Sequence, residues 1–374
     1  MSHVPPAVAL CFLSGGTALR ETVGALADAG VRTGHVLSPF DSGGSSGALR
    51  TAFGVPAIGD VRNRLLSLSR GPHRAAVLAT LGRRLPSGIG PDEARSELRA
   101  LVDTARAGGS GLPDAIATPL ADALTAFLAL RPRADGRLHF DRASIGNLVL
   151  VGEHLGLGVP LDDTIARWAD RLGVDAALTL CATADAHLAA TLPNGERLVG
   201  QASFTAKRCE ENRPGVTEVE VCDATGAALE VPAHPAALAL FERAERICLP
   251  IGSLWSSVLA HLLPRGMGRA LLASRARRIY VPNPGWDAEQ GTLAVADVVE
   301  RIAALCGRDA GAPVAPGDCI DTVVLAEEGA YPSGVDEARL CGYGLEIVRA
   351  PLGTARRLDG EALAALLSAL PAGR

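Results

Sequence analysis

At 374 residues with an apolar fraction of 48%, the chain can bury a sizeable core as one large α/β domain or two smaller ones, and it shows no low-complexity segment that would suggest extended disorder. Its formal charge of −5, with basic residues scattered, excludes a nucleic-acid footprint, and no apolar run approaches the roughly 18 residues that a bilayer crossing needs. Lys207 is the only lysine, so a Walker-type lysine is excluded and any cationic phosphate clamp must be arginine. The eight cysteines are dispersed without a C-x-x-C pair, which argues against a disulfide framework or a zinc site. The N-terminus lacks a basic stretch followed by a long apolar one, and a reduced cytoplasm is the expected location.

Taken in chain order, an apolar strand-like run over 8–13 leads into Ser14-Gly15-Gly16-Thr17-Ala18-Leu19. A helix is predicted over 17–29, with apolar positions at Leu19, Val23, Leu26 and Ala27. A strand, a glycine turn and a helix start leave backbone N–H groups at the positive end of a helix dipole, which suits a phosphate. Gly15, Gly16 and Thr17 are therefore candidate ligand residues. The dinucleotide fingerprint G-x-G-x-x-G is not completed, and a tight strand-to-helix turn is the ordinary alternative.

A second strand-like run, 33–37, leads to Asp41-Ser42-Gly43-Gly44-Ser45-Ser46-Gly47-Ala48-Leu49-Arg50, with Gly59-Asp60-Val61-Arg62-Asn63 following. The ordinary alternative is a flexible Gly/Ser linker. Against it, the stretch is short, follows a strand and opens with a carboxylate. Asp41 can hold Mg²⁺ against a diphosphate, Gly43, Gly44, Ser45 and Ser46 can cradle it, and Arg50 and Arg62 can offset its charge. Asp60 and Asn63 belong to the same group; Asp41, Asp60 and Arg62 are the candidates for chemistry.

Residues about 60–140 read as a helical insertion covering one side of a sheet, with helical patterns at 75–81, 93–107 and 119–130. Next, Ala143-Ser144-Ile145-Gly146-Asn147-Leu148 places a glycine early in a helix, where close approach by a ligand or by another helix explains it equally well. Gly146 and Asn147 join the candidates. From about 176 to 232 the runs 178–182, 186–192, 197–203, 216–222 and 228–231 alternate like antiparallel strands. Pro193-Asn194-Gly195-Glu196 is the expected hairpin turn of this small β insertion. Strand-like runs return at 246–249, 278–282, 322–325 and 345–349, and the first of them opens into Pro250-Ile251-Gly252-Ser253-Leu254-Trp255-Ser256-Ser257, which adds Gly252 and Ser253.

Alternating strands and helices predict a single α/β domain over 1–374, Rossmann-like, with a mostly parallel sheet flanked by helices. In such a sheet the first, second and fourth glycine loops fall at the carboxyl ends of the strands and are expected to line one crevice. Serine-hydrolase chemistry finds no support, since Gly252-Ser253-Leu254 is not G-x-S-x-G. His35, His154, His187 and His261 are expected to be structural, and Trp255 and Trp286 to be buried against helices rather than stacked on a base.

These motifs resemble the CofD-like and YvcK-like family. The YvcK pattern of Gly-Gly-Thr-Gly-Leu, Asp-Asp-Gly-Gly-Ser-Ser-Gly-x-Leu-Arg, Pro-Pro-Gly-Asp-[IV]-Arg-Asn, Ser-[LI]-Gly-Asn-Leu and Gly-Pro-Gly-Ser-Leu-Tyr-[TS]-Ser is matched in order at 15–19, 41–50, 56–63, 144–148 and 250–257. Weaker similarity extends over 278–283 and 290–297. Departures are Ser42 at the second aspartate, Ala18 after Thr17, Ile251 before Gly252, Trp255 at the tyrosine and Val298 at the usual histidine. The chain thus looks like a divergent member, and Ser42 lowers the expected affinity for Mg²⁺.

The resemblance implies a Rossmann-like fold and a nucleotide-type ligand at the strand ends. CofD-type members move a phospholactyl or phosphoenolpyruvyl group from a guanosine-diphosphate-linked donor to a deazaflavin alcohol with Mg²⁺. YvcK-type members bind nucleotide sugars and act in cell-envelope and carbon-source regulation. Two functions follow as expectations: a Mg²⁺-dependent transferase with Asp41 on the metal, and a non-catalytic sensor. The implied partners are a nucleotide, a nucleoside-diphosphate-linked donor or a nucleotide sugar, without nucleic acid or a membrane span, and with homo-oligomerisation left open.

Overall fold

The apolar runs of the sequence become strands because their side chains are covered on both faces. In the computed structural model, which describes residues 8–15, 17–134, 136, 138–204 and 215–373, ten strands are present among the described residues. They are β1 (Leu10–Ser14), β2 (Thr33–Leu37), β3 (Ala176–Leu180), β4 (His187–Thr191), β5 (Arg197–Val199), β6 (Glu218–Cys222), β7 (Arg246–Leu249), β8 (Arg277–Tyr280), β9 (Thr322–Ala326) and β10 (Glu346–Ala350). Seven form a parallel sheet in the order β10-β9-β8-β7-β1-β2-β3. Every residue of β1, β2 and β9 is buried, as expected for parallel strands with helices on both faces. This is the Rossmann-like α/β fold that the sequence predicted.

The contacts divide the chain into two units, Met1–Phe40 with Thr179–Arg374 and Asp41–Leu178. In the first, the helix Arg20–Asp28 returns the chain from β1 to β2 and buries Val23 and Leu26. It begins three residues later than predicted, because Thr17–Leu19 form a turn in which the Arg20 N–H donates to the Thr17 carbonyl (3.1 Å). The small antiparallel sheet has the order β5-β4-β6. Its β4–β5 hairpin closes at the expected turn, with the Leu192 N–H donating to the Glu196 carbonyl (2.8 Å) and Gly195 in the left-handed region (φ 82°).

Three strand expectations are corrected. The run 178–182 belongs to the edge of the parallel sheet as β3: the Cys181 N–H donates to the Leu37 carbonyl (2.8 Å), extending the ladder beside β2. The run 197–203 stops at Val199 and turns into the short helix Gln201–Phe204. The run 228–231 makes an isolated bridge from Ala228 to Cys222 and forms no strand.

The second unit is helical apart from the start of β3. Its helices are Gly44–Phe53, Gly59–Leu68, Arg74–Leu81, Pro91–Arg106, Asp114–Ala129, Ile145–Val151 and Leu161–Arg171. The section expected at 60–140 lies inside this unit. The helix from Ile145 continues into a π-helical turn, Gly152–Gly156, packed so closely on Asp114–Ala129 that a Cβ on Gly152 would lie 2.0 Å from the Ala123 carbonyl oxygen. Glu153, buried in that turn, is held by Arg171 (2.8 Å), as a buried carboxylate must be.

Candidate functional site

In the first unit, β1 and β7 are adjacent and parallel, so the turns that follow them leave the same edge of the sheet. They touch. A Cβ on Gly15 would lie 2.8 Å from Ser257 Cβ and 2.9 Å from its carbonyl oxygen, so only glycine allows the turn after β1 to rest on the turn after β7. Beneath them, His35 lies between Ser14 Oγ (3.2 Å) and Thr33 Oγ1 (2.9 Å) and stacks on Phe12. His261 is fully buried, and burial lowers its pKa to about 4, so the ring is neutral. Both histidines are structural, as predicted, and so is His154, which bonds the Val159 carbonyl.

The turn after β7 is filled by carboxylates from the segment after β8. Asp287 Oδ2 accepts the Leu254 N–H (2.7 Å). Glu289 Oε2 accepts the Trp255 and Ser256 N–H groups (2.9 and 2.8 Å), and Oε1 accepts the Ser256 hydroxyl (2.7 Å). Asn283 accepts the Gly252 N–H through Oδ1 (3.1 Å) and donates to the Gly252 carbonyl through Nδ2 (2.6 Å). Burial and the neighbouring Asp287 charge push the Glu289 carboxyl up to about 7 against these hydrogen bonds, and burial raises Asp287 as well. Leu254–Val258 is π-helical rather than α-helical. The Trp255 indole donates to the Val216 carbonyl (3.0 Å), so this ring is buried as expected.

In the second unit the glycine-serine stretch is no loop. Helix Gly44–Phe53 begins within it, so Ser45, Ser46 and Gly47 form a first turn. Gly59–Asn63 likewise opens the helix Gly59–Leu68, and Gly146 and Asn147 open Ile145–Val151. Three helix N-termini are tied together by short contacts. A Cβ on Gly59 would meet Ser46 Oγ at 2.4 Å and Asp41 Oδ2 at 3.2 Å. Ser45 Oγ accepts Asn147 Nδ2 (3.0 Å) and the Ser144 N–H (3.3 Å). A Cβ on Gly146 would meet Arg62 Cγ at 2.7 Å. Asp41 Oδ1 accepts the Gly43 N–H (2.9 Å), and the Arg50 guanidinium donates to the Asp41 carbonyl (3.2 Å).

Ser45, Ser46, Arg50, Arg62, Gly146 and Asn147 are buried, Asp41, Gly43, Asp60 and Asn63 half-buried and Gly44 exposed. Asn147 is 1% exposed, yet its Oδ1 has no hydrogen-bond partner among the described residues, and the same holds for the buried Ser144 Oγ. Buried polar atoms left this way point to a ligand or an ordered water. Among the described residues no group of three or more His, Cys, Asp or Glu side chains is placed to hold a metal ion. A cation here would depend on Asp41, nearby hydroxyls and a ligand's own oxygens, which is a donor set that Mg²⁺ accepts.

In the first unit Gly15, Gly252 and Ser253 are half-buried and Thr17 is exposed, while Gly16 lies outside the described residues. Asn283, Asp287 and Glu289 were not predicted. The available signal was a pair of carboxylates two residues apart in the segment that follows the strand-like run 278–282, with weak family similarity on both sides.

Residues 10–352 match the family model described as 2-phospho-L-lactate transferase CofD. The chain belongs to the CofD family. Similar curated proteins are named as candidate gluconeogenesis factors: one from Nostoc sp. is 26% identical over 302 residues (80% of this chain, 52% of the relative), and one from Clostridium acetobutylicum is 26% identical over 294 residues (78% and 51%). This CofD-family chain therefore spans about half the length of the curated relatives it matches. A solved UPF0052-family structure from Bacillus halodurans shares the fold with a TM-score of 0.66 at 18% identity, covering 96% of this chain and 99% of that one. Among the described residues no helix is long and apolar enough to cross a membrane.

Proposed function

We propose that this CofD-family protein binds a nucleotide or a nucleotide sugar. The observation that carries the reading is the gathering of three helix N-termini in the second unit around a buried acceptor, Asn147 Oδ1, that the protein leaves unmet. There Gly43, Gly44, Ser45 and Ser46 cradle a phosphate, Arg50 and Arg62 offset its charge, and Asp60, Asn63 and Gly146 shape the surrounding turns. Asp41 would hold Mg²⁺, and the metal would supply charge neutralisation for a bound diphosphate. In the first unit, taken by itself, Gly15 and Thr17 in the turn after β1 and Gly252 and Ser253 in the turn after β7 are proposed as ligand contacts, together with Gly16, which lies outside the described residues.

As a transferase of CofD type, the protein would work mainly by positioning and electrostatics: Asp60 and Arg62 would orient the donor, and Arg62 would stabilise charge on the departing phosphate. The second reading is a non-catalytic sensor of the same class of ligand. It is favoured by the names of the curated relatives, which refer to gluconeogenesis rather than to transfer.

Titration calorimetry with GDP, UDP and their sugar conjugates, with and without Mg²⁺, tests the shared premise. Binding by none of them would sink it. Asp41→Asn is expected to remove the Mg²⁺-dependent part of the affinity while leaving the fold intact. Product detected by mass spectrometry from a guanosine-diphosphate-linked donor and a deazaflavin alcohol would select the transferase; tight binding without product would select the sensor.

A further inference from the structure

Two cysteines that lie apart in the sequence meet in the first unit. Cys306 is near the end of the helix Val295–Ala310, and Cys319 ends the short helix Pro316–Cys319, which packs against it and leads into β9. The Cys306 thiol donates a hydrogen bond to the Cys319 sulfur, and both side chains are fully buried. Close packing fixes the backbone at Cys306: a Cβ on Gly268 would lie 2.9 Å from the Cys306 Cα. Cys319 is instead carried by a single short turn that follows the exposed stretch 310–313. Cys11 and Cys248 offer a contrast. They lie on the adjacent strands β1 and β7, but Cys248 stands opposite Phe12, so the two thiols leave opposite faces of the sheet.

We propose that Cys306 and Cys319 form a redox-sensitive dithiol, which hydrogen peroxide closes to a disulfide in the folded protein. Thiols already in hydrogen-bond contact approach the roughly 2.05 Å of an S–S bond through side-chain rotation and a small shift of the Cys319 turn. The hydrogen bond from Cys306 and the facing Arg278 guanidinium hold the Cys319 thiol below its ordinary pKa against burial, whereas Cys306, the donor, is raised. Cys319 is therefore the attacking sulfur. Its thiolate attacks one peroxide oxygen, the O–O bond breaks, and the departing hydroxide takes up the thiol proton as water, leaving a sulfenic acid. The Cys306 sulfur then attacks the Cys319 sulfur, the S–O bond breaks, and the hydroxyl leaves with the Cys306 proton as a second water. Two thiols and one peroxide give one disulfide and two waters, with two electrons passing from the sulfurs to the peroxide.

Both sulfurs are shielded from solvent, but Asp318 beside Cys319 is exposed, so a local opening of that turn admits a molecule of peroxide's size. Such a pair reacts slowly, which suits a response to sustained oxidant rather than a catalytic turnover. The bond closes the loop 306–319 and pins the end of the helix Val295–Ala310 to the entry of β9. That closure constrains the unfolded chain, so the oxidised protein melts at a higher temperature. A thiol reductant reverses it by exchange.

The test exposes the full chain, first reduced, to hydrogen peroxide without denaturant, alkylates the remaining thiols and weighs the tryptic peptides by mass spectrometry. Cleavage after Arg301, Arg308 and Arg339 places Cys306 in 302–308 and Cys319 in 309–339, each as the sole cysteine. The expected result is a linked pair of these peptides, two hydrogens lighter than its parts and separated by dithiothreitol. The melting temperature should rise by a few degrees over that of the reduced protein. Cys306→Ser should abolish both effects, and Cys341→Ser, at an exposed cysteine, neither. If Cys319 stays reduced, ends as sulfinic acid or joins another cysteine while circular dichroism shows a folded chain, the inference is overturned. Linkage formed only in urea, or a linked form that melts no higher than the reduced one, would overturn it as well, since the bond would not then belong to the native geometry. Should Cys306→Ser fail to fold, the wild-type peptide map decides alone.

Discussion

The two units build polar turns by different means. In the first, parallel strands deliver turns to one edge of a sheet, and the turn after β7 is satisfied from within by Asp287, Glu289 and Asn283. In the second, no sheet aligns the helix starts; glycines and small hydroxyls do it, and the cluster ends with a buried acceptor on Asn147 that nothing in it meets. A turn completed by its own carboxylates has its polar groups met within the fold, whereas the other cluster leaves one buried group to be met from outside the described residues.

The largest effect is expected at Gly15→Val. Its Cβ would press on Ser257 Cβ and the Ser257 carbonyl, and denaturant unfolding should show a loss of about 3 kcal/mol or more. A loss below about 1 kcal/mol would mean that the two turns of the first unit are not packed as described.

Next comes a pH dependence of similar size. Glu289 has a folded pKa of about 7 against an ordinary value of 4.5. The folded state therefore holds this proton more tightly, and the stabilisation is full below about pH 4.5 and is lost as pH rises through about 7. At roughly 1.4 kcal/mol per unit, the unfolding free energy from urea titrations should fall by an amount on the order of 3 kcal/mol between pH 5 and pH 8. Buried Asp287 contributes with the same sign. Glu289→Gln should flatten the slope.

Gly146→Ala probes the second unit. The new methyl would meet Arg62 Cγ at 2.7 Å and the Leu81 carbonyl oxygen at 2.8 Å, and a loss of about 2 kcal/mol is expected by the same unfolding measurement. The smallest effect on stability is expected from Asn147→Ala. It removes one hydrogen bond to Ser45 together with an acceptor that was already unmet, so the net loss should be about 1 kcal/mol. Ligand affinity should fall more than stability does. If the two fall in step, Asn147 is a packing residue and the contrast between the units weakens.

Much of the sheet was legible because its strands are short, apolar and followed by glycine or proline; β1, β2, β7 and β9 begin and end within two residues of their predicted limits. β3 was not, since alternation over five residues cannot say which strand lies alongside. The stretch after Asp41 read as a loop because glycine and serine disfavour helix interiors, yet here they occupy a first turn, where small size permits close approach. Ser42 illustrates the same limit. Its place beside Asp41 marked the loss of a carboxylate, but not that a Cβ on Gly47 would collide with the Ser42 carbonyl oxygen at 2.1 Å. That collision holds the turn to glycine whatever side chain occupies position 42.

By itself, the sequence determined the fold class and the family, because apolar periodicity and short glycine motifs are local properties that survive without coordinates. Which N–H groups of the glycine turns are met by distant side chains was decided only by the tertiary structure. Asp287 and Glu289 reach Leu254, Trp255 and Ser256 across more than thirty residues of chain, and only folding removes them from water and spends their charge on one turn.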